Sequence, residues 1–202
     1  MKKLLFLLCL LPMLAQIGFA QDEGARQDIN LSAMGVIQPY VSGKATPFVK
    51  QNSTLGAGLY LGYRYLLTPN GAVEANYSYS HFTNKFLTSS ANARVRTGMQ
   101  EATAAYVRSF VFKRFNPFIE GGGGLLFFTP QGAKTTSYDT EQTKELTVLF
   151  GGGIAYELSP SWDLRVQYRG QIFNTTNFGL SNFPAGRRYI MSQPAIGFAY
   201  HF

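Results

Sequence analysis

WDLRVQYRGQI, residues 162–172, carries two faces in one string. Trp162, Leu164, Val166, Tyr168 and Ile172 share one parity; Asp163, Arg165, Gln167, Arg169 and Gln171 share the other. Side chains of a β-strand alternate between its two sides, so this stretch predicts a strand that is apolar or aromatic on one face and polar on the other. It is also long. A tilted strand needs about 9–11 residues to cross a bilayer, whereas strands in soluble domains commonly run to about 5–6.

Working outward, turn signals divide the chain into eight such segments, at 29–41, 54–66, 72–82, 99–111, 117–128, 146–157, 162–173 and 189–202. Their connections alternate in length. Those at 42–53, 83–98, 129–145 and 174–188 are long, and TPNG (68–71), FKRFN (112–116) and SPS (159–161) are short. Short turns at one end and long loops at the other characterise an antiparallel barrel in an outer membrane. The second segment repeats the parity, with Leu55, Ala57, Leu59, Leu61, Tyr63 and Tyr65 opposed to Gly56, Gly58, Gly62 and Arg64. Small residues on the inner face suit a narrow barrel. Tyr63, Tyr65, Trp162, Tyr168, Tyr200 and Phe202 fall near predicted strand ends, where aromatic girdles belong. The pattern weakens in AAYVRSFV and in the four glycines of FIEGGGGLLFF, which read as bends or bulges.

The first twenty residues, MKKLLFLLCLLPMLAQIGFA, have a basic start, a short apolar core and a small-x-small ending. They read as a secretory signal cleaved after Ala20, followed by a short segment 21–28 and a barrel domain over 29–202. Cys9, the single cysteine, lies within that leader. The mature chain is thus expected to have no thiol chemistry, disulfide or cysteine metal site, and His81 and His201 alone cannot make a histidine-rich metal centre. No cofactor is expected. Removing Lys2 and Lys3 leaves sixteen basic against eleven acidic residues, +5.

Periodicity alone also fits a soluble eight-stranded barrel, apolar inside and polar outside. The leader, the loop alternation and the final strand favour the membrane reading. Ile196, Phe198, Tyr200 and Phe202 occupy every second position up to the last residue, which looks like the terminal β-signal by which outer-membrane barrels are recognised for insertion. With the eight segments, this resembles the small OmpA/OmpX-like outer-membrane β-barrel family over 29–202. The resemblance implies an all-β, eight-stranded, antiparallel up-and-down transmembrane barrel, integral to the outer membrane of a Gram-negative-type cell. It also implies the barrel-assembly machinery as a partner. Because the chain ends at the barrel, a peptidoglycan-binding domain is not expected.

Charges on the inner face of a narrow barrel must pair or stay hydrated. Arg64, Glu74, Glu157, Asp163, Arg165 and Arg169 are therefore candidates for a lumenal network, either a static plug or a gate, with Glu101 and Glu120 as further members. The long connections hold Lys44, Lys50, Lys85, Arg94, Arg96, Lys134, Lys144, Arg187 and Arg188 against Asp139, Glu141 and Glu145, a balance of +6. Such a rim suits outer-membrane lipid, lipopolysaccharide phosphates or anionic surface partners; a nucleic-acid partner is not expected of a signal-bearing membrane chain. His81 has Thr83 two residues on and no nearby carboxylate to orient it, so it reads as interfacial rather than catalytic. His201 is expected to pack or hydrogen-bond inside. Gly121–Gly124 lacks the Lys-Ser/Thr of a phosphate loop. The sequence thus predicts a monomeric, non-enzymatic envelope protein with interactive external loops, or alternatively a narrow channel for ions or small solutes.

Overall fold

The computed structural model describes residues 26–38, 41–42, 50–88, 91–131, 142–174 and 188–202. The leader and Lys44, Lys134, Asp139, Glu141 and Arg187 lie outside the described residues. Ten strands follow in order: β1 Gln27–Val36, β2 Val41–Ser42, β3 Lys50–Ser53, β4 Gly56–Thr68, β5 Gly71–Thr88, β6 Ala91–Ser109, β7 Phe115–Gln131, β8 Thr143–Ser159, β9 Trp162–Asn174 and β10 Arg188–His201. From β4 to β10 each strand pairs antiparallel with the next, and β1 pairs with β4 on one side and β10 on the other. Eight strands therefore close into an up-and-down barrel. The two short strands form a ribbon, with β3 added to the far end of β5.

The faces are inverted relative to a water-soluble barrel. Leu31, Leu59, Leu61, Val166, Ile196 and Phe198 face outward and are about half exposed, whereas Arg165 and Arg169 are the largest fully buried side chains. Arginine is almost never buried to this degree unless paired. A soluble barrel with an apolar interior would place these two sets the other way round. At the short-turn end, Trp162 and Tyr200 rings approach to 5.1 Å, Tyr200 stacks on Phe202 at 6.2 Å, and Phe115 meets Tyr156 edge-on at 6.0 Å. Tyr168 departs from the girdle expectation: it lies midway along β9 and its hydroxyl is 2.7 Å from Ser192 Oγ.

Three differences from the sequence reading stand out. The first strand runs from Gln27 to Val36, with an isolated bridge at Ile37 to Ser192, instead of spanning 29–41. Asp28 thereby enters the barrel. The expected long loop 83–98 is almost all strand, because the β5–β6 ladder continues unbroken to Thr88↔Ala91. Polar residues occupy both parities there, so the hydrophobic alternation fades while the backbone pairing persists. Gly121–Gly124 is no bulge: the β7 register runs evenly through it on both sides. The glycines instead permit close approach, since a Cβ on Gly122 would lie 2.0 Å from the Ala104 carbonyl oxygen.

Candidate functional site

The lumen is filled by three layers. Nearest the short turns, Asp28 of β1, Arg64 of β4, Glu74 of β5 and Arg165 of β9 form an alternating ring of charges. Arg165 donates from Nη1 and Nη2 to the two Asp28 oxygens, both at 3.2 Å. Arg64 donates from Nε to Glu74 Oε2 at 2.6 Å and lies 3.9 Å from Asp28, while Arg165 Nη1 stands 4.0 Å from Glu74. The Phe118 ring lies beside both guanidinium groups, 4.9 Å from Arg64 Cζ and 5.9 Å from that of Arg165. Each charge thus meets opposite charge or an aromatic face, as burial of ions requires.

The middle layer is built around Arg169 of β9. Its Nη2 donates to Glu101 Oε1 at 2.7 Å and to Thr103 Oγ1 at 3.2 Å, and its Cζ sits 4.5 Å from the Tyr60 ring centroid. Glu101 also accepts from Ser78 Oγ, Thr103 Oγ1 and Gln193 Nε2. Glu120 lies 3.4 Å from Arg169 Nε, yet neither of its oxygens accepts a hydrogen bond from a described group. Tyr60 links the two layers: its hydroxyl donates to Glu74. With the Asn76 amide turned so that its nitrogen donates, that nitrogen reaches Tyr60 Oη at 2.7 Å and Glu74 Oε1 at 2.8 Å. Gly62 makes room for this junction, since a Cβ there would stand 3.0–3.2 Å from Tyr60, Asn76 and Glu74 atoms.

Toward the long-loop end, the third layer is apolar. Met34, Val36, Phe82, Met99, Leu126 and Met191 are buried in one cluster, with the Phe128 and Phe173 rings 5.6 Å apart. At the opposite mouth, a cavity of about 140 Å³ is lined by Asp28, Arg64, Phe118, Asp163, Arg165 and His201, among others. His201 Nε2 lies 2.7 Å from Asp163 Oδ2, the interior hydrogen bond expected of this histidine.

The structure brings together Arg64, Glu74, Arg165 and Arg169 of the six residues expected in the lumenal network, with Glu101 and Glu120, the two further members expected there. It corrects two. Asp163 pairs with His201 at the mouth instead of with an arginine. Glu157 is half-buried in the ladder opposite Asp163, where the β8–β9 register shifts before Ser159↔Trp162, and makes no ion pair among the described residues. Asp28 and Tyr60 were not expected in the network. Asp28 lay one residue outside the first predicted strand; Tyr60 shares the inner parity of Gly58, Gly62 and Arg64, which could have found it. Among the described residues no three His, Cys, Asp or Glu side chains are placed to share a metal ion.

Of the basic rim positions, Lys50 falls in β3, Lys85 in β5, and Arg94 and Arg96 in β6. Arg96, Lys144 and Arg188 are exposed. Ile196, Phe198 and Tyr200 project outward, and Phe202 exchanges backbone hydrogen bonds of 3.0 and 3.3 Å with Gln27.

Solved outer-membrane proteins share this architecture. Superposition on OprG from Pseudomonas aeruginosa gives a TM-score of 0.64 at 13% identity, covering 89% of this chain and 97% of that one. Neisserial surface protein A gives 0.57 at 15% identity, covering 89% and 100%. Ail of Yersinia pestis, in complex with the heparin analogue sucrose octasulfate, gives 0.50 at 15%, covering 88% and 99%. No curated protein sequence matches the chain. The sequence pattern of the outer membrane protein beta-barrel domain family matches residues 6–202. An inverted eight-stranded barrel with a charged, filled lumen is thus carried by a chain that belongs to the outer membrane protein beta-barrel domain family, whose members are integral to the outer membrane of Gram-negative bacteria.

Proposed function

We propose that this protein is a non-enzymatic, monomeric outer-membrane barrel that acts through its external rim on lipopolysaccharide or anionic cell-surface groups, and that its barrel serves as a closed envelope anchor. The filled lumen carries this reading: two ionic layers and an apolar layer stand in series across it. An eight-stranded barrel is just wide enough for its side chains. The decisive experiment is single-channel recording of refolded residues 21–202 in a planar bilayer. Folded protein that stays silent supports the closed anchor; discrete, reproducible steps overturn it.

One observation favours a second reading, a narrow channel. Arg169 stands between Glu101, which is fully hydrogen-bonded, and Glu120, which lacks a donor. A guanidinium that exchanged these carboxylates would rearrange the middle layer. If that layer gates a path, Arg169→Ala raises conductance; unchanged silence in this variant removes the channel reading.

A further inference from the structure

We propose that the tip of the β6–β7 hairpin is a docking site for the phosphates of anionic phospholipid in the inner leaflet of the outer membrane. It lies at the short-turn mouth, which faces the periplasm in barrels of this kind, and is independent of the external rim.

The stretch that joins these strands reads Phe110-Val111-Phe112-Lys113-Arg114-Phe115. The other short turns, TPNG and SPS, hold no basic residue. Phe112 and Phe115 are bridged partners, and Phe110 N donates to the Pro117 carbonyl at 2.8 Å, so the two arms stay in register to the tip. Directly opposed residues in an antiparallel ladder share a face, as do residues two apart on one strand. Phe110, Phe112 and Phe115 therefore continue the outward face of Tyr106 and Ile119, and all five are exposed. Arg108, exposed on the same face, pairs with Ile119.

The tip is pinned in place. Phe115 N donates to the Phe112 carbonyl at 2.8 Å, Phe112 N to Asn116 Oδ1 at 3.1 Å, and Glu157 N of β8 to the Arg114 carbonyl at 2.9 Å. Lys113 is thereby held at φ 50°, the one non-glycine residue with positive φ among those described. Asn or Gly ordinarily fills such a position in a two-residue turn, because an L side chain is strained there. A lysine retained at this cost gives the tip a charge that the turn itself does not need.

Depth matches the occupant. Phe115 meets Tyr156 edge-on at 6.0 Å in the short-turn girdle, and Lys113 and Arg114 come next past that girdle. At about 3.4 Å per residue, their charges stand in the headgroup layer, whereas the three phenylalanines stand at the boundary with the acyl chains, where aromatic rings collect. Arg108 lies inside that boundary, and a long basic side chain so placed runs its stem along the apolar wall and holds its charge at the headgroups. Apolar face, aromatic boundary and basic tip form one continuous surface against the bilayer. Phosphate oxygens accept from guanidinium and ammonium groups, and a net anionic headgroup answers the clustered charge better than a zwitterion does.

The test uses the full mature chain folded in phosphatidylcholine nanodiscs, with nitroxide-labelled phosphatidylglycerol and phosphatidylcholine as quenching probes. Trp162 is the only tryptophan, so F112W/W162F moves the fluorescent reporter to the hairpin, and the unmodified chain reports the girdle at β9. At the hairpin, labelled phosphatidylglycerol is expected to associate roughly fivefold or more tightly than labelled phosphatidylcholine, about the gain from one basic residue at an anionic surface. Adding R108Q/K113Q/R114Q should abolish that preference, and K144Q/R188Q at the opposite mouth should leave it; circular dichroism verifies folding. Lys113→Gly supplies a second arm, because it relieves the turn while removing the charge: its urea midpoint in neutral detergent should hold or rise as the preference falls. Preference that survives the triple substitution, or survives Lys113→Gly undiminished, overturns the site. Equal losses in K144Q/R188Q overturn it in favour of net charge alone. An equal preference at Trp162 overturns it in favour of a uniform lipid annulus. Absence of any preference, with hairpin-dependent retention on peptidoglycan instead, overturns it in favour of a cell-wall partner.

Discussion

Arg165 and Asp28, 137 positions apart in the chain, meet through two parallel hydrogen bonds of 3.2 Å inside the barrel. Removing one partner of a buried ion pair strands the other charge and costs about 3–5 kcal/mol. Arg165→Ala is therefore expected to lose roughly that much stability in urea titrations of the refolded protein. Asp28→Asn combined with Arg165→Met should lose less than the two single variants summed, because no uncompensated charge remains.

Glu101 and Glu120 face the same arginine with unequal support. Glu101 accepts from four groups, Glu120 from none. Glu101→Gln should lower the urea midpoint by the equivalent of about 2–4 kcal/mol, whereas Glu120→Gln should change it by about 1 kcal/mol or less. Equal losses would mean that the Arg169–Glu120 contact matters as much as the hydrogen-bonded pair.

Adjacent glycines differ just as sharply. A Cβ on Gly121 meets nothing within 4 Å, while one on Gly122 lies 2.0 Å from the Ala104 oxygen and 2.6 Å from the Ala105 Cα. Gly121→Ala should refold like the wild type. Gly122→Ala must push two backbones apart and is expected to cost about 1–3 kcal/mol, visible as a reduced folded fraction.

At the last residue, Phe202→Asp replaces an aromatic girdle member that stacks on Tyr200. The backbone pair with Gln27 can survive the change; the apolar terminal side chain cannot. Surface levels in cells should fall several-fold while refolding in detergent proceeds, and normal cellular assembly would argue against a terminal assembly signal.

The fold was legible in the sequence because lipid and lumen impose opposite polarities on alternate residues. WDLRVQYRGQI assigns every one of its side chains that the structure describes to a face by that rule alone. Legibility failed where the alternation stops. Residues 83–98 mix polar and apolar residues on both parities, so the β5–β6 extension was unreadable as strand. Within the lumen, parity located Arg64, Glu74, Arg165 and Arg169 but could not set their partners. Partnering depends on height along the axis, hence on register across strands distant in sequence, as with Asp28 and Arg165. Tyr60, an aromatic residue among glycines, follows the inner parity and shows that identity alone does not assign a face.

The ladder that closes the barrel is the shortest of its walls. β1 and β10 share the pairs from Asp28↔His201 to Met34↔Ala195, whereas β5 and β6 pair continuously from Gly71↔Arg108 to Thr88↔Ala91. Under load, or late in assembly, a ring of unequal seams opens and shuts at its weakest one. Here that seam is bolted from within, since Asp28 ties β1 to Arg64 on its other neighbour and to Arg165 one strand beyond β10. The charges that plug the lumen therefore also act as the clasp of the cylinder, and the same substitutions that empty the interior should make the first and last strands unzip first.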